Sequence, residues 1–180
     1  MTPCYVALGS NLGHPLTQLR AAVAALAQLP ETQLQAVSSA YSSAAVGPGK
    51  QPDYLNAVAR LNTHLSPIEL LDALQGIEQQ QGRIREERWA ARTLDLDLLL
   101  YANLAMNTPR LILPHPRLTE RNFVLYPLCD VADANLMLPD GRKLDTLVRA
   151  CPGEPPAAIT ESLTPVDGGR KGANEGQSRE

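Results

Sequence analysis

The sequence predicts a mixed α/β (α+β) domain in which an antiparallel sheet is laid down in the order βαββαβ with helices packed on it. Three observations carry this. Stretches with helical periodicity alternate with stretches of strand composition, and proline and glycine punctuate the junctions. The 180 residues are 44% apolar and 19% charged, a globular composition. A chain of this length can bury roughly 70% of its unfolded surface in one domain. Taken in order, Cys4 to Leu8 reads as a short buried strand, followed by a turn over Gly9-Ser10-Asn11-Leu12-Gly13. Pro15 suits a first helical turn, and Leu16, Leu19, Val23 and Leu26 recur at three and four residues, giving an amphipathic helix that ends near Pro30. A strand over 34–41 follows, then a Ser/Ala/Gly/Pro loop through Asp53 and a second strand over 54–64. Ser66-Pro67-Ile68-Glu69 is a capping box with proline at the first helical position, and Leu71, Leu74 and Ile77 continue that helix toward Gly82. An arginine-rich loop leads to a strand over 94–101, which completes the split, ferredoxin-like order. A proline-punctuated loop, a short helix over 122–129, a hairpin through Pro139-Asp140-Gly141 and a short helix over 144–150 close a domain of residues 1–151. From Pro152 to Glu180 Pro, Gly and polar residues dominate, so the expectation there is a disordered tail.

Charge and cysteine usage narrow the function classes. The formal net charge is −3, which gives no electrostatic support to nucleic-acid or membrane-surface binding. Cys4, Cys129 and Cys151 form neither a disulfide framework nor a zinc pattern, so a reducing, cytoplasmic setting is expected. No apolar run approaches the roughly 20 residues of a membrane span. A Gly-x-x-x-x-Gly-Lys-Ser/Thr phosphate loop is absent, and the Gly9–Gly13 turn is no dinucleotide fingerprint.

The chemistry concentrates in residues 83–98. In a strand Asp95, Asp97 and Leu99 point one way and Leu96, Leu98 and Leu100 the other. Carboxylates two residues apart, with Cα atoms roughly 6.5 Å apart, can bracket one or two hard cations, although an isolated Asp-x-Asp is more often a solvated strand face. Arginines tip the balance. Arg83, Arg85, Arg88 and Arg92 precede the carboxylates and Arg110, Arg117 and Arg121 follow, whereas lysine is limited to Lys50, Lys143 and Lys171. Guanidinium forks grip phosphate oxygens bidentately, so carboxylates for a metal and arginines for phosphates describe a metal–nucleotide site. His115, stiffened between Pro114 and Pro116, is a candidate donor to a phosphate oxygen.

Five segments, in order, resemble the 6-hydroxymethyl-7,8-dihydropterin pyrophosphokinases of folate biosynthesis: residues 5–13, 51–57, 88–97, 113–118 and 121–128. The resemblance spans about residues 4–150 and implies a ferredoxin-like fold, a monomer, and Mg²⁺-dependent transfer of diphosphate from ATP to a pterin hydroxymethyl oxygen, with AMP released. It implies that Asp95 and Asp97 hold two Mg²⁺ ions, and that Arg83 and Arg92 act on the phosphates, Arg92 on the charge of the transition state. It places Gln75, Glu78, Arg85, Arg88, Trp89, Leu98, Arg110, Ile112, His115 and Arg121 around ATP; Gln75 and Glu78 fit an exposed helix face equally, and Leu98 and Ile112 fit core positions equally. For the pterin it implies stacking by Tyr54 and Phe123, an amide from Asn56, walls from Ser43, Ala44 and Val46, and a contact from Trp89. Ala90-Ala91 stand where the family usually has Gly-Pro. The arginine loop is expected to close over both substrates and exclude water. Two other classes use parts of this pattern. A nucleotidyltransferase pairs aspartates with Mg²⁺ but releases pyrophosphate. An RNA-binding module on the same sheet needs exposed aromatics with a Lys/Arg-Gly-Phe/Tyr signature, which is absent.

Overall fold

The computed structural model describes residues 1–45, 52–82, 94–133 and 135–164. Its elements are β1 (Thr2–Ser10), α1 (Pro15–Ala27), β2 (Thr32–Val37), β3 (Tyr41–Ser43), β4 (Tyr54–Thr63), α2 (Pro67–Gln80), β5 (Asp95–Tyr101), β6 (Met106–Asn107), β7 (Ile112–Leu113), α3 (Asn122–Val131), α4 (Leu144–Ala150) and β8 (Ala157–Ala158). The main sheet runs β5-β1-β4, with β2 and β3 both on the far side of β4, and every pairing is antiparallel. β4 is thus inserted between the parallel strands β1 and β2, which is the expected split arrangement.

Period-two alternation divides the core into two layers. Cys4, Val6, Leu8, Ala57, Ala59 and Leu61 face α1 and α2, meeting Leu19, Leu26, Leu70 and Leu74. Tyr5, Val58 and Leu99 face α3 and α4, meeting Leu125, Leu128 and Leu144. The capping box opens α2 as expected: the Ser66 N–H donates to Glu69 Oε2 at 2.8 Å and the Glu69 N–H to Ser66 Oγ at 3.4 Å. Leu61 is fully buried on the central strand β4. Leu61→Ala is expected to cost about 2–5 kcal/mol, read as a lower urea midpoint at an unchanged slope.

Three local expectations are corrected. The strand over 34–41 is two strands, because Ser38 breaks the ladder: its hydroxyl accepts the Val58 N–H at 2.9 Å while its own N–H donates to the Val58 carbonyl at 2.9 Å. In β5, Tyr5 faces Leu100 and Val6 faces Leu98, so Leu99 is an extra, bulged residue. Leu100 therefore joins Leu99 in the α3 layer, while Leu96 and Leu98 stay in the other. Third, residues 152–164 do not form a disordered tail. β8 pairs with the outer edge of β3, and Leu163 is buried in the α1–α2 core. The edge of a three-residue strand and an apolar gap beside α1 supply what proline-rich composition does not advertise.

Candidate active site

β1 lies between β4 and β5, and its register decides what faces what. Gly9 sits between Asp95 on β5 and Asn56 on β4, and Ala7 between Asp97 and Val58. Where Tyr5 and Val58 are covered by α3 the face is core; where β1 offers only Ala7 and Gly9, a pocket opens. Its lining includes Ser43, Ala44, Tyr54, Asn56, Asp95, Asp97, Arg121 and Phe123. A Cβ at position 9 would meet Asn56 Oδ1 at 3.6 Å and Tyr54 Cδ1 at 3.9 Å, so glycine keeps the floor low enough to leave both groups uncovered.

One end of the pocket suits a flat, polar-edged ring. Tyr54 comes from the start of β4 and Phe123 from the first turn of α3, bringing two aromatic side chains to the same cavity. Asn56 is buried, and its Nδ2 donates to Ser43 Oγ at 2.8 Å and to the Tyr41 carbonyl at 3.4 Å. Its Oδ1, over Gly9, is thereby turned to the cavity as an acceptor.

The other end carries charge. Asp95 and Asp97 share one face of β5, both half-buried, and Asp97 Oδ2 is 4.0 Å from His115 Nε2. The Arg117 N–H donates to His115 Nδ1 at 3.2 Å, so the neutral ring carries its proton on Nε2. Burial, with the Arg121 guanidinium second, lowers the His115 pKa from its ordinary value, against the pull of Asp95. Arg121 lies with its guanidinium carbon 5.7 Å from the Phe123 ring centre, linking the two ends of the pocket. Its pKa is lowered by burial and then by Arg117, while Asp97 and Asp95 favour the charged form.

The donor set fits a hard divalent cation. Among the described residues no group of three His, Cys, Asp or Glu side chains converges as a metal cage. Two carboxylates without a cage are what Mg²⁺ accepts when phosphate oxygens and water complete its shell.

The remaining expected residues divide between a second surface and residues outside the description. Along the outer side of β5, Glu78 of α2 accepts the Leu96 N–H at 2.8 Å and is 2% exposed. That replaces the exposed-face alternative: Glu78 holds the backbone residue between the two aspartates. Gln75, one turn earlier on α2, is half-buried. Arg110 is ion-paired with Asp72 of the same helix, and Ile112 is exposed on β7. The Leu98 side chain is core, so only its backbone is available to a ligand. Val46, Arg83, Arg85, Arg88, Trp89 and Arg92, and with them the expected loop closure, lie outside the described residues.

Ala7, Gly9 and Val124 also line the pocket and were not expected from the sequence. The sequence reads Gly9 as part of a turn, but it lies within β1, and its role follows from the strand order, which places it between Asp95 and Asn56.

Comparison with known proteins bears on the same segments. The family model described as 7,8-dihydro-6-hydroxymethylpterin-pyrophosphokinase (HPPK) matches residues 5–133. A protein of Pseudomonas aeruginosa named 2-amino-4-hydroxy-6-hydroxymethyldihydropteridine pyrophosphokinase is 55% identical over 150 residues, covering 83% of this chain and 92% of its own. A Haemophilus influenzae protein of the same name is 50% identical over 149 residues, with the same coverage of 83% and 92%. Among solved structures, Plasmodium falciparum HPPK-DHPS aligns with a TM-score of 0.63 at 11% identity, over 82% of this chain. This chain spans 44% of the length of that structure, a likeness of fold alone. With a family match across most of the chain and two relatives at half identity or better, the chain belongs to the 7,8-dihydro-6-hydroxymethylpterin-pyrophosphokinase family.

Proposed function

We propose that this chain transfers the terminal diphosphate of ATP to the hydroxymethyl oxygen of 6-hydroxymethyl-7,8-dihydropterin, giving AMP and the pterin diphosphate, a step of folate biosynthesis. The observation that carries the reading, beside family membership, is one cavity that joins a carboxylate pair to an aromatic and amide-lined slot. In the reaction the hydroxymethyl oxygen bonds to the β-phosphorus, the bond from that phosphorus to the α,β-bridging oxygen breaks, and the hydroxyl proton is lost to solvent. Such a transfer asks the protein for alignment and charge, with little covalent chemistry.

Tyr54 and Phe123 hold the pterin ring, and Asn56 Oδ1 accepts from its N–H edge. Ser43 and Ala44 form the wall behind it, and Asp95 and Asp97 would hold two Mg²⁺ ions. Held there, the metal would supply electrostatic screening of the phosphate charge that opposes attack. The His115 Nε2–H and the Arg121 guanidinium present donors where phosphates would lie beside the aspartates. Arg83 and Arg92 are assigned to the phosphates on the family resemblance, as are Arg85, Arg88 and Trp89 to ATP, and Val46 and Trp89 to the pterin. Gln75, Glu78, Arg110 and Ile112 belong to the nucleotide side, along β5. A monomer is assigned on the family resemblance. Three cysteines without disulfides and a requirement for ATP suit the cytoplasm. Among the described residues no helix is long and apolar enough to cross a membrane.

The test is a product assay with ATP, Mg²⁺ and the dihydropterin that resolves AMP, ADP and pyrophosphate. AMP formed only when the pterin is present is expected. Pyrophosphate would point to nucleotidyl transfer and ADP to a single phosphoryl transfer, and either would overturn the reading.

A further inference from the structure

We infer that residues 152–164 are a strap that positions the pterin end of the pocket, holding both its β3 wall and the start of α3; the inference rests on the function proposed above. The strap touches each side of the cavity through a different bond. At its beginning, the Glu154 carbonyl accepts from Asn122 Nδ2 at 2.6 Å. Asn122 opens α3 and stands between Arg121 and Phe123, both of which line the pocket. Further on, Ala157 and Ala158 pair with Ser42 and Tyr41, and the Ile159 N–H donates to the Ala40 carbonyl at 2.8 Å.

Those contacts fall on the outer edge of β3, a strand of only three residues whose inner edge is paired with β4. A strand so short has little register of its own, and a second partner fixes it. Its register matters because Asn56 Nδ2 is held by Ser43 Oγ and by the Tyr41 carbonyl, both on β3. A shift of β3 would therefore turn the Asn56 amide and move Ser43 and Ala44 together. The far end of the strap is anchored away from the site: Leu163 is 3% exposed in the α1–α2 core, and Arg20 Nε donates to the Ser162 carbonyl at 2.9 Å. The strap thus ties two walls of the pocket to the opposite layer of the domain.

Two substitutions at opposite ends of the strap test this in the full chain. Asn122→Asp keeps the side-chain shape but turns the donor toward Glu154 into an acceptor. An acidic residue in the first turn favours a helix, so weaker binding could not be laid to a weaker α3. Ile159→Pro removes the N–H that bonds to Ala40, and Ile159→Ala, which retains that N–H, controls for lost packing. With AMP formation as the assay, the KM for the dihydropterin is expected to rise about three- to tenfold in Asn122→Asp and Ile159→Pro, the scale of one lost hydrogen bond. The KM for ATP and the kcat should stay within about twofold, and Ile159→Ala should resemble the parent. An unchanged pterin KM in a folded Asn122→Asp variant, or an equal rise in both KM values, overturns the strap. Should Ile159→Pro fail to fold, as judged by circular dichroism, Asn122→Asp alone decides. If the parent chain itself makes no pterin-dependent AMP, the proposed function falls and the strap's role falls with it, an outcome distinct from a working parent with indifferent variants.

Discussion

Asp97→Ala is expected to lower diphosphate transfer by about 10³-fold or more at saturating ATP and pterin, since the charge stabilisation lost with a metal site is several kcal/mol and each 1.36 kcal/mol is tenfold in rate. The expectation follows from position. Asp97 shares one face of β5 with Asp95, and β1 places only Ala7 beside it, so among the described residues of the sheet Asp95 alone would be left to hold the metal. Its Oδ2 lies 4.0 Å from His115 Nε2, so losing it also removes a carboxylate beside that donor. Asp97→Asn separates the two effects, because it keeps a side-chain oxygen for His115 but gives up the charge. Both variants should be comparably slow and should fold normally, because Asp97 is half-exposed and belongs to neither core layer. Turnover measured across a Mg²⁺ titration is the check. Near-parental rates at high Mg²⁺ would remove Asp97 from the metal site.

Why Asp97 could be named from the sequence, and Gly9 could not, is a matter of range. The alternation that puts Asp95 and Asp97 on one face is a property of three successive residues, so it survives without knowledge of the fold. The same holds for the capping box at Ser66, formed within four residues. Gly9 acquires meaning only because the sheet order lays β1 between β5 and β4, placing a glycine between a carboxylate and an amide. The bulge at Leu99 is likewise a disagreement between two strands, invisible in either alone. The family resemblance sets Glu78 beside ATP and the helix pattern fits an exposed face equally; it is buried because the chain brings Leu96, eighteen residues later, against it. The strap fails a composition test for the opposite reason. Two-residue β8 has no periodicity to detect, and its stability comes from the β3 edge it covers and from Leu163 and Ile159, two widely spaced apolar residues that reach the core. Tyr54, Asn56 and Phe123 were legible through the family resemblance, but that the Asn56 donors are already engaged, leaving an acceptor for the ligand, required the contacts themselves.

That last detail sets the second large expected effect. Asn56→Ala should weaken dihydropterin binding about 10- to 100-fold, because a buried donor on the ligand would lose its acceptor, at roughly 1–3 kcal/mol for each polar group left unpaired. The loss has two parts. Oδ1 is the amide atom over Gly9, so its removal leaves the ligand's N–H edge facing the Gly9 backbone and the Tyr54 ring carbons. The Nδ2 bond to Ser43 Oγ disappears as well, freeing the wall that it steadies. Ser43→Ala isolates the second part: it keeps Oδ1 but removes one of the two bonds that orient it, so its effect should be several-fold smaller. ATP binding should be spared in both variants, because Asn56 is separated from the β5 carboxylates by the width of β1. Calorimetric titration with each ligand in turn gives the answer. Equal losses for ATP and pterin would mean that Asn56 supports the fold of the β1–β4 pair and does not read the ligand, whereas selective loss of the pterin, graded from Ser43→Ala to Asn56→Ala, assigns the amide to recognition.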